Sequence, residues 1–143
     1  MKKVIIIVIS FLLLISIGCI EPIKPTYNRS PYNPEDAIKN GDVVNVQGQE
    51  YNAEKLDQFM ENIKNNKNDK IRITMYTIEG DPILIDLEYD GKRIFYTYDN
   101  TRDGFGSPTI EKKMFSADKL YKLGREYYIK NFPEDIFIYS WDI

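Results

Sequence analysis

The hydrophobic pattern divides the chain into an apolar head, a polar neck and an alternating body. Val4 to Ile15 is an almost unbroken apolar run behind Lys2 and Lys3, whereas Ile20 to Pro34 shows no apolar period and holds four of the seven prolines. From Asn33 the pattern becomes regular. Asn33-Pro34-Glu35-Asp36 reads as a helix start, with Asn as cap, Pro at the first helical position and acids in the first turn; Asn40-Gly41 reads as its end. Val43 to Gln47 is a short strand candidate that stops at Gly48. Across Asn52 to Lys64, Leu56, Phe59, Met60 and Ile63 fall at i, i+3, i+4 and i+7, while Glu54, Lys55, Asp57, Gln58 and Glu61 cover the other side. This predicts an amphipathic helix with Asn52 as its cap, packed on a sheet.

Lys70 to Tyr98 predicts a β meander. With Asp90-Gly91 as a two-residue turn, Tyr89 faces Lys92, Leu87 faces Ile94, Ile85 faces Tyr96 and Ile83 faces Tyr98, which collects the large apolar residues on one face. The other face becomes mostly polar, with Glu88 opposite Arg93 as an ion pair. Ile71, Ile73 and Met75 join the apolar face if Ile73 faces Leu87 and Met75 faces Ile85. That requires an odd-numbered connection at Glu79-Gly80-Asp81, because an even one turns the apolar set outward.

Asp99 to Ser107 reads as a polar loop and Thr109 to Phe115 as a further strand. Ser116 to Gly124 is a helical turn or a wide loop. Glu126 to Phe132 and Ile136 to Trp141 flank Pro133-Glu134-Asp135 as a closing hairpin. The expected architecture is α+β, a mainly antiparallel meander sheet of about five to seven strands with one amphipathic helix on one face. Residues 35–143 form its single domain.

Composition narrows the chemistry. The chain contains no histidine, which removes Ser-His-Asp and Cys-His nucleophilic machinery, His-ligated zinc and the usual near-neutral general base. No Gly-rich phosphate loop occurs, and no cofactor is expected. The acidic balance, −3 for the whole chain and −5 without Lys2 and Lys3, argues against nucleic acid, and no basic patch contradicts it. Carboxylate chemistry remains. Asp99 and Asp103, followed by Gly104, imitate the first, fifth and sixth positions of a calcium loop, but Thr101 and Ile110 stand at the third and twelfth. Asp86 and Glu88 share one strand face with Cα positions about 6.5–7 Å apart, a spacing that a glycosidase tolerates. Among the tyrosines, Tyr96 and Tyr98 are expected inward. Tyr76, Tyr127, Tyr128 and Tyr139 suit either core or an exposed aromatic platform.

The head has its own chemistry. A positive start, a short apolar run and Gly18 before Cys19, the only cysteine, have the three-part form of a secretory signal. Gly18-Cys19 resembles the lipobox of bacterial lipoproteins, which implies cleavage after residue 18, palmitate-type acylation of Cys19 and a lipid-anchored position on the extracytoplasmic face of the cell membrane. An uncleaved anchor is the alternative. Residues 19–34 then serve as a Pro-rich tether. With Cys19 acylated, no disulfide is available to the domain.

Further motifs sit in the body: Asn40-Gly41-Asp42-Val43-Val44, Lys55-Leu56-Asp57-Gln58-Phe59, Lys70 to Thr74 with Tyr76 to Pro82, and Tyr96 to Asp103. Together they resemble a family of small Gram-positive lipoproteins catalogued as domain of unknown function 4362. The resemblance spans roughly Glu35 to Gly106 and implies an envelope protein without an assigned activity. The expected function is non-catalytic binding of an envelope protein, peptide or glycan, through the sheet face or the Asp99 to Ser107 loop. The alternatives are a histidine-independent glycan hydrolase built on Asp86 and Glu88, and a calcium module at Asp99 and Asp103.

Overall fold

The structure, a computed structural model, describes residues 31–140; the leader, Cys19, most of the neck and Trp141 lie outside the described residues. Helix α1 (Pro34–Asn40) begins where the sequence places it, because Asn33 Oδ1 accepts the Asp36 N–H at 2.9 Å, and ends on Gly41 at φ +87°. Strand β1 (Val43–Val46) turns into a short β2 (Gln49–Tyr51), which lies beyond the Gly48 where the sequence pattern stops the strand. Helix α2 (Glu54–Lys64) follows, then the meander β3 (Asp69–Tyr76), β4 (Pro82–Tyr89), β5 (Arg93–Asp99) and β6 (Ile110–Ser116). These six strands form one sheet in the order β2-β1-β3-β4-β5-β6, antiparallel except where β1 runs parallel to β3. A single 3₁₀ turn, Ala117–Lys119, leads to a second sheet of β7 (Leu120–Leu123), β8 (Glu126–Ile129) and β9 (Ile136–Ser140). The fold is therefore α+β with a mainly antiparallel sheet, as the pattern predicts.

The apolar stripe of α2 lies between the two sheets. Leu56 and Phe59 are fully buried and share one core with Ile73 and Leu87 of the large sheet and Tyr127 and Ile138 of the small one. A bulge at Tyr127/Tyr128 shifts the β8–β9 register, and Ile138 and Tyr139 are both buried. On the other face of the large sheet, Ala37 of α1 packs with Val44 and Tyr76 in a smaller cluster that Tyr32 borders. Among the described residues no helix is long and apolar enough to cross a membrane.

The structure corrects five local expectations. Asn52 does not cap α2: it sits at φ +56°, and its amide donates to the Ile38 and Asp42 carbonyls at 3.3 and 2.8 Å. The β4–β5 hairpin pairs Tyr89 with Ile94, Leu87 with Tyr96 and Ile85 with Tyr98, two residues from the expected register. The cause is Asp90. Its carboxylate accepts the Lys92 and Arg93 N–H groups at 2.9 and 2.7 Å, so it stands outside the turn, and Gly91 takes the first central position at φ +89°.

Likewise β3 pairs Ile73 with Ile85 and Met75 with Ile83, around the odd connection Ile78-Glu79-Gly80 closed by Thr77 N–H to Asp81 O at 3.0 Å. Shifts of two keep every side chain on its expected face. The expected Glu88–Arg93 ion pair is replaced: Glu88 faces Phe95, Arg93 reaches Asp90 at 3.3 Å, and the strong cross-strand pair is Arg72 with Asp86. The last correction lies in Ser116 to Gly124, where β7 forms the edge of the second sheet.

The Gly91 turn predicts that Gly91→Ala, which forces a side chain to positive φ with its Cβ 3.0 Å from Asn68 Oδ1, costs about 1–3 kcal/mol in urea unfolding. Unchanged stability would remove this reading of the hairpin.

Asp57 supplies a second test, because it ties α2 to the small sheet. Its carboxylate accepts from Lys122 Nζ at 2.8 and 3.0 Å and from Tyr127 OH at 2.9 Å, and the Lys122 bond above all holds its pKa below the ordinary carboxylate value. A depressed folded-state pKa gives stability that is complete above the unfolded value of about 4 and is lost as pH falls through the folded one. Asp57→Asn therefore lowers the melting temperature at pH 7, and the gap from wild type closes on acidification below about pH 4. A gap independent of pH would contradict the assignment.

Candidate functional site

Strand β1 starts too late to cover all of β3. Val43 pairs with Ile73, so Asp69 to Arg72 have β4 on one side and no strand on the other. A cleft of about 660 Å³ occupies that gap. Its floor is the β3 edge, Asp69 to Arg72. One wall is the polar side of α2, with Lys55, Gln58 and Asn62; the other is Tyr32 and Asp42, and Asn40-Gly41 closes the end.

Asp42 determines where β1 begins. It is 6% exposed, and its Oδ2 accepts from Tyr32 OH and from Thr74 Oγ1, each at 2.7 Å. Donors of this kind are what let a carboxylate stay buried. Tyr76 OH donates to the Tyr32 carbonyl at 2.8 Å, so the segment before α1 is fastened to the same place. Gly41, at the end of α1, accepts Lys55 Nζ on its carbonyl at 2.6 Å. A Cβ at Gly41 would stand 2.6 Å from that ammonium and displace it, and the φ of +87° favours glycine here in any case.

Each carboxylate of the cleft accepts two hydrogen bonds, and each of its cations keeps at least one donor open. Asp86 takes both Arg72 Nε and Nη2, at 2.6 and 2.8 Å; Asp69 takes Asn62 Nδ2 at 2.7 Å and the Lys70 N–H at 2.8 Å. Among the described residues Arg72 Nη1 has no partner, Lys55 uses one of an ammonium's three donors, and Lys70 reaches only Glu88, at 4.0 Å. The hydrogen bond to Asp86 raises the Arg72 pKa above its already high ordinary value, and burial pushes the Tyr32 phenol up. Both therefore remain protonated at neutral pH. The arrangement suits binding of a group rich in acceptors.

The residues singled out from the sequence fall elsewhere or in other roles. Asp86 and Glu88 share the sheet face away from the main core, but Arg72 clasps Asp86 in a bidentate pair, and Glu88 lies beside Lys70. Asp99 accepts the N–H and hydroxyl of Thr101 at 2.8 and 2.6 Å, and Arg102 at 3.3 Å. Asp103 accepts the N–H groups of Phe105 and Gly106 at 2.9 and 3.0 Å. Each of these two carboxylates thus closes its own loop. Among the described residues no group of three or more acidic side chains converges as a metal site. Tyr127 and Tyr139 are core, and Tyr76 belongs to the smaller cluster. Tyr128 faces out between Tyr121, stacked at 5.5 Å, and Phe137, edge-on at 5.7 Å. Cys19 lies outside the described residues.

Sequence reasoning misses Asp42, Tyr32 and the Lys55–Lys70–Arg72 set as a site. The signal for Asp42 is an acid between a helix-ending glycine and the Val43-Val44 strand start, a place where a charge must find donors if it is to enter the sheet. No local signal marks Arg72, whose partner is set by the two-residue shift in the β3–β4 register.

No curated protein and no solved structure matches the chain significantly. The family model described as domain of unknown function (DUF4362) matches residues 40–127, from the end of α1 into β8 and across the whole floor of the cleft, and the chain belongs to that family.

Proposed function

We propose that this chain is a non-catalytic binding domain, tethered by lipid on Cys19 to the extracytoplasmic face of the cell membrane, that recognises an acceptor-rich part of an envelope protein, peptide or glycan in the cleft beside β3. The observation that carries the recognition role is the set of open cationic donors: Lys55, Lys70 and Arg72 line the cleft and each keeps at least one charged donor free, while each of its three carboxylates is held by two hydrogen bonds from the protein itself. The address rests on the charged start, the short apolar run and Gly18-Cys19. The hydrolase alternative is weaker, because a carboxylate clasped bidentately by Arg72 is poorly suited to serve as a general acid or a nucleophile.

Two measurements test the two halves. Metabolic labelling with a palmitate analogue should mark the wild type and fail on Cys19→Ser; an unlabelled wild type with its leader intact would overturn the anchor. Crosslinking capture from intact cells should recover a partner with wild type and lose it by at least tenfold in a Lys55→Ala/Lys70→Ala double variant that folds normally by circular dichroism. Undiminished capture by that variant would move recognition away from the cleft.

A further inference from the structure

We infer that the cleft receives an extended peptide segment, added edge-on to β3 beside Asp69 to Arg72 as a short strand in line with β1. This rests on reading the cleft as the recognition site and specifies what enters it.

The floor of the cleft is a strand edge, and a strand edge has one natural complement. Two observations show that the edge is open. The β1–β3 ladder starts only at Val43 and Ile73, and the Lys70 N–H donates at 2.8 Å to the carboxylate of the preceding residue, Asp69, where an added strand would supply a carbonyl. Strand alternation directs the Arg72 backbone to the same side as that of Lys70. The edge thus presents backbone groups at the spacing that β-augmentation uses, with side-chain pockets on either side to supply selectivity.

The size agrees. A strand residue occupies about 160 Å³, from a rise of about 3.3 Å, an interstrand spacing of about 4.8 Å and a layer depth of about 10 Å. A cleft of about 660 Å³ then holds about four such residues, matching the four residues of β3 that β1 leaves uncovered. Lys55 and Asn62 line one face of such a segment, and Tyr32 and Arg72 the other. The open cationic donors favour carbonyl oxygens, acidic side chains or a terminal carboxylate over a basic peptide. Walls on both sides also explain how an open edge avoids pairing at random, since only a thin, extended chain reaches it.

The test uses the purified full-length chain in detergent and a phage-displayed library of random decapeptides. Selected peptides are resynthesised with single backbone N-methyl groups at each position in turn. Strand addition predicts that N-methylation weakens binding at least tenfold at alternate residues and less than twofold between them. It also predicts that the Lys70 amide exchanges at least tenfold more slowly when peptide is bound, and that Lys55→Ala/Lys70→Ala weakens every selected peptide. Absence of the period of two, selected peptides indifferent to the double variant, or no selected peptide at all overturns strand addition. If capture of the cellular partner still depends on Lys55 and Lys70 in that case, or soluble glycan fragments bind there, the cleft remains the recognition site and only the peptide assignment falls.

Discussion

A buried carboxylate decides where the first strand enters the sheet. Asp42 stands between the end of α1 and the start of β1, and it is held there by hydroxyls from Tyr32 and Thr74, ten residues before it and thirty-two after. A carboxylate so placed is anchored by its donors, since losing one leaves a buried polar group undersatisfied. Thr74 lies on β3 and is fully buried, so the position of the carboxylate along β3 is fixed. Val43 follows directly and pairs with Ile73; the preceding residues turn away into α1 and leave the lane beside Asp69 to Arg72 unfilled. The cleft follows from that turn.

Other features of the site follow from the same geometry. Gly41 permits the chain to leave the lane at positive φ, and its carbonyl then meets Lys55 from α2. The helix is in place because Leu56 and Phe59 are locked between two sheets, so its polar side is presented to the cleft on a rigid support. On the far face the Arg72–Asp86 pair gives a half-exposed bidentate clasp that orients the guanidinium while leaving one nitrogen available. Rigid positioning of donors lowers the ordering cost of binding, which suits a recognition role.

Much of this fold is legible in the sequence and the site is not, for a common reason. The α2 stripe, the cap at Asn33 and the alternation of β3 to β5 are local signals, and each survives intact. Register is set by turn chemistry that the pattern leaves ambiguous: Asp90 and Gly91 form a good turn in two frames, and the frame in which Asp90 caps from outside wins because its carboxylate satisfies two backbone donors. A shift of two preserves every face and rearranges every pair, so the core is read correctly and the Arg72–Asp86 pair is not. Asn52 likewise has cap chemistry, but the long-range carbonyls of Ile38 and Asp42 claim its amide. The cleft residues Tyr32, Asp42, Lys55 and Arg72 come together only through tertiary contacts.

Residue-by-residue amide hydrogen exchange along β3 in the unliganded protein bears most directly on the claim that Asp42 ends the β1 lane and leaves the β3 edge open. An open edge predicts that the Lys70 amide exchanges at least tenfold faster than those of Ile71 and Thr74, which lie within paired stretches of the same strand. Equal protection of Lys70 and Thr74 would mean that the edge is already filled, and would contradict that claim.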